Sequence, residues 1–296
     1  MHPKRKYMIN NSRLKALSVM VVLSVVLMLV GSFMDLEISD AMFVGEHSFA
    51  SAIGGFFGKL PAFLILVYSF TVLLNYVYFK EENYKKPVRI TLITLYIIAI
   101  LLSSFMAAYS AIEELTDRAS YIAIGMAIIA TCIAVILVTK EEYAKVEEQK
   151  KLAIVNIIAI VVLMFIVVML KGIFGRIRYK DIIAGEGDFA PWYQPNWFGD
   201  GHSFPSGHTA LYGALYLLMP LFRIFDRKGA CWYFLSVVLT QIGIGLFRIV
   251  GGHHFLTDIT ASMLISFVVA ILAISVSYKS DYSNKVLGEK NLFRKI

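Results

Sequence analysis

Cysteine is nearly absent: Cys132 and Cys231 are the only two in 296 residues, and both sit in apolar runs. A disulfide framework or a cysteine-based metal site therefore has no support, and the two read as small apolar side chains. Charge is also scarce. Asp, Glu, Lys and Arg make up 17% of the chain and apolar residues 58%, whereas an ordinary soluble domain is about a quarter charged and roughly half apolar. That balance excludes a soluble globular enzyme. Ionisable residues are missing from the middle of the long apolar runs, where Asn75, Asn156 and Gln241 are the most polar side chains. Coupled transporters and proton pumps usually carry such a group at mid-membrane, so its absence counts against transport, although a pore lined by hydroxyls stays open. Internal repeats, low-complexity stretches and long linkers are lacking too, which points to one integrated helical membrane domain.

What the chain does have is eight apolar runs: Leu14–Phe33, Leu60–Phe79, Ile90–Tyr109, Tyr121–Val138, Leu152–Leu170, Thr209–Phe222, Cys231–Phe247 and Ile259–Ser277. Most have the length a helix needs to cross a hydrocarbon core of about 30 Å. The expected fold class is all-α, a polytopic bundle of about eight transmembrane helices. The basic N-terminal patch leads into a run too long for a signal-peptide core, and it reads as an uncleaved first span. The expected organisation is a four-span region over residues 1–151, a core over 152–277 that carries the chemistry, and a cytoplasmic tail over 278–296.

Eight spans put both termini on one side. With that side as the cytoplasm, 21 of the 28 Lys and Arg fall inside and seven outside: Lys59, Arg118, Lys171, Arg176, Arg178, Lys180 and Arg248. The positive-inside rule then predicts cytoplasmic termini in a multi-pass cell-membrane protein. The net charge of +7 belongs to this sorting, and no nucleic-acid partner follows from it. Two external segments are long. Gly31–Lys59 carries acidic residues between Asp35 and Asp40 and a Phe- and Gly-rich stretch over 48–58; it is expected to be a surface helix or re-entrant piece at the interface, outside any catalytic role. Lys171–His208 is more specific.

Four of the six histidines stand in two external places: His202 and His208, then His253 and His254. Cations surround them where positive charge is otherwise excluded, which suggests an anionic substrate. Lys171 and Arg178 are seven residues apart, about two helical turns, so both could lean toward one phosphate beyond the fifth span; capping of a helix C-terminus or contact with lipid headgroups explains them equally well. Ser203-Phe-Pro205-Ser206-Gly207-His208 has the composition of a helix start, with hydroxyls to cap it and a histidine in its first turn able to donate a proton to a bound anion. Arg248-x5-His254-x3-Asp258 places a carboxylate four residues after an imidazole. On a helix it can accept one ring N–H and leave the other nitrogen as a nucleophile or base. A divalent-ion site is the competing reading of His-x3-Asp, but five cations in the same two loops would repel the ion, so no metal or other cofactor is expected.

The three pieces together resemble the type 2 phosphatidic acid phosphatase superfamily, whose signature is Lys-x6-Arg-Pro, Pro-Ser-Gly-His and Ser-Arg-x5-His-x3-Asp. Tyr179 stands where the family has proline and Phe247 where it has serine; every charged or protonatable position is kept. The resemblance covers about the last 130 residues. It implies a metal-independent phosphoric monoester or diphosphate hydrolase of phospholipid metabolism, in which His254 attacks phosphorus to form a phosphohistidine and Asp258 orients it. His208 protonates the leaving oxygen and then activates water, while Lys171, Arg178, Arg248, Ser206 and the backbone at Gly207 hold the phosphate oxygens. Arg176, Lys180, His202 and His253 match no signature position and are expected as outer-lying or headgroup contacts.

The aromatic residues of 179–204 suit a membrane surface, either covering a headgroup or only anchoring the loop. A site at the outer membrane boundary suits a membrane lipid phosphate or polyprenyl diphosphate better than a soluble ester. The rivals are a lipid phosphotransferase with the same intermediate and a non-catalytic channel or lipid-binding protein. The sequence does not specify the oligomeric state.

Overall fold

A computed structural model describes residues 3–113, 119–138, 143–222 and 227–293. Arg118, Lys140, Arg223, Arg294 and Lys295, which enter the charge division, lie outside the described residues. Among the described residues ten α-helices follow in chain order: α1 (Pro3–Met42), α2 (Phe49–Phe79), α3 (Lys86–Ile112), α4 (Ala119–Val138), α5 (Tyr143–Phe174), α6 (Tyr179–Ile183), α7 (Gly207–Tyr212), α8 (Met219–Phe222), α9 (Arg227–Val250) and α10 (Leu256–Phe293). Among the described residues there is no strand, and seven helices are long and apolar enough to cross a membrane. The protein is a multi-pass helical bundle.

The sixth expected span, Thr209–Phe222, is not one α-helix. It is α7, a 3-10 segment Gly213–Leu218 and α8 in succession, a composite that reaches about 27 Å because 3-10 turns rise faster per residue. The break has a local cause at Gly213, where an added Cβ would stand 2.2 Å from Ser266 Oγ and 2.6 Å from Gln241 Nε2. Only glycine lets α9 and α10 come this close. Gln241, fully buried, then donates to the Thr209 carbonyl (2.8 Å) and Ser266 Oγ (3.0 Å) and accepts from Tyr216 Oη (2.8 Å). A polar side chain inside a span is thereby fully used.

The expectation for Gly31–Lys59 is corrected. Residues 31–42 prolong α1 and residues 49–59 begin α2, with only a short turn between them. Ser48 caps α2 by accepting from Ser51 N (3.3 Å). Residues expected as a tail from 278 onward continue α10 as far as Phe293.

The core lies where α2, α5, the composite span, α9 and α10 meet: Phe63, Leu163, Leu211, Tyr216, Val237 and Phe267 are all buried there. α1 packs along α10, while α3 and α4 pack on α2 and on each other. The C-terminal ends of α1, α5 and α9 and the N-terminal ends of α2, α7 and α10 therefore share one end of the bundle.

Candidate active site

That shared end gathers the three sequence pieces. Lys171 occupies the last turn of α5. The helix stops at Phe174, and Gly175 takes φ +45°, the left-handed conformation common just past a helix end. Residues 175–178 are not helical, so Lys171 and Arg178 do not share a helix face; the two-turn spacing expected for them is replaced by a chain reversal. Loop backbone meets the close of α5 as Phe198 N donates to Gly172 O (2.7 Å) and Ser203 N to Arg176 O (2.8 Å). Lys171 Nζ donates to the His202 carbonyl. Lys171 lies within electrostatic reach of Arg178, Arg248 and Asp258, and its Cε passes 3.9 Å from where a Cβ on Gly207 would stand.

α7 opens with Ser206 as its cap. The Ser206 hydroxyl accepts from Thr209 N (3.3 Å) and pairs with Thr209 Oγ1 (2.9 Å), while its own N–H goes to the Asp258 carbonyl (3.2 Å). Ser206 thus ties the start of α7 to the first turn of α10. His208 follows two residues later, and its buried Nε2 has no hydrogen-bond partner among the described residues.

His254 lies just before α10. Its Nδ1 makes a 2.8 Å hydrogen bond to the carbonyl of Ser203, whereas Asp258 Oδ2 is 3.6 Å away, beyond hydrogen-bond range. The expected pairing is corrected in one atom: a backbone carbonyl accepts the imidazole N–H, and the Asp258 carboxylate stands behind it as charge. This bond puts the proton on Nδ1 and leaves Nε2 with its lone pair. Burial, only partly opposed by Asp258, holds His254 down to about 3, so the ring is neutral near pH 7. His253 is likewise pushed down, to about 2, by burial and then by Arg248; its Nε2 is 3.2 Å from Ser51 Oγ on α2.

Asp258, wholly buried, accepts from Ser203 Oγ (2.5 Å), Phe255 N (2.9 Å) and Arg176 Nη1 (2.7 Å). Arg176 is therefore no headgroup contact. It is 2% exposed, and its guanidinium also donates to the Ala190 carbonyl (2.8 Å), Thr257 Oγ1 (2.9 Å) and Asp35 Oδ2 (2.9 Å). Its carbon lies 4.0 Å over the Phe255 ring and 5.3 Å from Phe189. Lys180 is also spoken for: it pairs with Glu46, which holds that carboxyl below its usual range.

The sequence reading gave no place at the site to Asp35, Thr257 or the start of α2, and it expected Ser203 only as a helix cap. One face of α2, at helical spacing, meets the motif residues: Ser51 against His253, Gly54 against Arg248 and Gly58 against His208. A Cβ on Gly58 would stand 2.6 Å from His208 Cβ. The available signal was the glycine spacing in 48–58, which a surface piece does not require. The outer turns of α1 act similarly: Ser32 accepts from Trp192 Nε1 (2.8 Å), and Asp40 accepts from Tyr179, the residue that replaces the family's proline. The loop aromatics divide, with Phe189 on Phe255 and Trp192 stacked on Phe204, while Tyr193, Trp197 and Phe198 are exposed.

No curated protein and no solved structure matches the chain. Residues 151–282, which carry most of α5 through most of α10 and all three motif pieces, match the PAP2 superfamily. Over that segment, which is less than half of the chain, the protein is similar to the PAP2 superfamily, a superfamily of phosphatases.

Proposed function

We propose that this protein hydrolyses a lipid phosphate or polyprenyl diphosphate at the outer face of the cell membrane, through a phosphohistidine and without a metal ion. The observation that carries the reading is the state of His254: Nδ1 engaged by a backbone carbonyl so that Nε2 keeps its lone pair, a buried carboxylate 3.6 Å behind it, and Lys171 and Arg248 within electrostatic reach. The 21-to-7 division of cations supports the outer face and cytoplasmic termini. The exposed Tyr193, Trp197 and Phe198 suit contact with headgroups.

In the first step the Nε2 lone pair of His254 forms an N–P bond in line with the departing oxygen. The P–O bond breaks with its electron pair on that oxygen, which takes a proton from His208. Asp258 offsets the positive charge that appears on the imidazole. In the second step His208 accepts a proton from water as the water oxygen attacks phosphorus, and the N–P electron pair returns to His254. Lys171, Arg178, Arg248 and the backbone at Gly207 hold the equatorial oxygens, the positioning and charge stabilisation that phosphoryl transfer chiefly needs. Ser206 contributes by holding the α7 cap in place. A chelator leaves turnover unchanged on this reading, and restoration of chelated enzyme by zinc or magnesium would overturn its metal-free chemistry.

Rapid alkaline quench with labelled substrate tests the reading. Wild type yields an alkali-stable, acid-labile phosphoprotein that accumulates in His208→Ala and is absent from His254→Ala. Label that persists in His254→Ala removes His254 as nucleophile. Release of inorganic phosphate from phosphatidic acid, phosphatidylglycerol phosphate and undecaprenyl diphosphate, with and without an added alcohol, ranks the substrates and separates hydrolysis from transfer.

A further inference from the structure

Asp258 does not hold its charge alone. Arg176, which donates to its Oδ1, also donates through Nη2 to Asp35 Oδ2 (2.9 Å), so one buried guanidinium serves two buried carboxylates. Asp35 belongs to α1, outside the matched segment. It is 2% exposed and accepts from Arg176, from Thr257 N (3.0 Å) and from the Thr257 hydroxyl. Each partner is a donor, so the ionised carboxylate is the form that fits.

Two consequences follow for the neighbouring Asp258. A buried Asp258–Arg176 pair by itself would be neutral, leaving little to offset the charge on His254 as the N–P bond forms. With Asp35 present the cluster has two negative charges and one positive, so net negative charge remains beside His254 where water screens little. Asp35 also satisfies the Thr257 N–H, one of the first-turn donors of α10 that have no partner within the helix. The turn that carries Asp258 is thus pinned to α1.

We propose that Asp35 is a positioning residue for phosphoryl transfer, acting through Arg176 and Thr257 to hold Asp258 and keep its charge from being cancelled. The proposal rests on the reading of His254 and Asp258 as the reacting pair. It places the effect of Asp35 on the step in which charge appears, and so on kcat and not on KM.

The test uses full-length protein in detergent micelles carrying phosphatidic acid, with inorganic phosphate as competitive inhibitor. Asp35→Asn lowers kcat about tenfold or more, while KM and phosphate inhibition stay within about twofold of wild type. In an Arg176→Gln background the same substitution costs less, because the route to Asp258 is already cut. Wild-type kcat in Asp35→Asn, or an equal cost in both backgrounds, overturns the proposal. If Asp35→Asn loses phosphate inhibition as well, Thr257→Val decides: a smaller fall in kcat at unchanged KM supports the proposal, and wild-type kcat overturns it. His254→Ala run in parallel separates the two levels. If it keeps turnover, the phosphatase mechanism and this proposal fall together; if it is inactive while Asp35→Asn is normal, only the role of Asp35 is lost.

Discussion

Helices α1 and α2 and helices α3 and α4 are all apolar enough to cross a membrane, yet among the described residues only the first pair bonds to the candidate site. The difference shows in particular polar groups of each pair. In α3 and α4, Ser110 and Thr131 return their hydroxyls to their own helices, at Ala107 O (3.1 Å) and Ala127 O (2.7 Å). In α1 and α2, Asp35, Asp40 and Ser51 reach other elements, at Arg176 with Thr257, Tyr179 and His253, while Ser32 does both, donating to Met28 O (2.7 Å) in its own helix and accepting from Trp192. A polar side chain that closes its bond inside its own helix leaves the helix an independent wall, whereas one that bonds across fixes the position of its partner. On the proposed reading, the reacting residues lie in the C-terminal segment, and the first 60 residues supply partners that hold several of them in place.

Glycines offer the sharpest way to break this contrast. Gly58→Ala pushes a methyl against His208, and kcat falls by about 100-fold, the order expected when a reacting group is displaced by an ångström. Gly125→Ala in α4 meets nothing within 4 Å; it leaves activity unchanged and raises thermal stability by up to about 1 kcal/mol through helix propensity. Matched kinetics and melting curves of the two variants check both outcomes. Equal kinetic losses would erase the distinction between the two helix pairs.

Gly54→Ala has the next largest effect. Its methyl would stand 3.0 Å from Arg248 Cδ and from Phe247 Cβ, contacts that yield by small shifts, so kcat/KM falls by about tenfold. The loss is shared between KM and kcat because the guanidinium holds phosphate in ground and transition states alike. An unchanged KM for phosphatidic acid would mean that Arg248 does not bind the ground state.

Trp192→Phe keeps an aromatic ring and removes the bond to Ser32 Oγ. Stability drops by about 1 kcal/mol, the net worth of a typical hydrogen bond, and kcat changes by less than about threefold. Thermal denaturation in detergent with parallel rates measures both.

The smallest effect is expected at Lys59–Glu113, an ion pair of 2.9 Å between α2 and the end of α3 with both side chains about a quarter exposed. Glu113→Gln costs under about 1 kcal/mol of stability, and kcat/KM moves by less than about twofold. A large loss of activity there would show that α3 reaches the site after all.

Some of this was legible in the residues alone, for identifiable reasons. Eight apolar runs of near-spanning length dictate a helical membrane bundle, because backbone groups in hydrocarbon must be paired within their own segment. Lys171, His208, Arg248, His254 and Asp258 stood out because cations and histidines are costly at that boundary without a use. Sequence spacing even carried His254 and Asp258 to within 3.6 Å. It could not choose the acceptor of the His254 N–H, since the Ser203 carbonyl that accepts it lies 51 residues earlier. Nor could it tell that Arg176 turns inward to Asp258 and Asp35 while Lys180 pairs with Glu46, because those partners lie far away in sequence. Apolar length and local charge therefore set the spans and the signature residues, through partition and short-range sterics. The partners of the buried charges, Asp35 above all, were settled only when helices distant in sequence packed and each buried ion had to find its counter-charge without water.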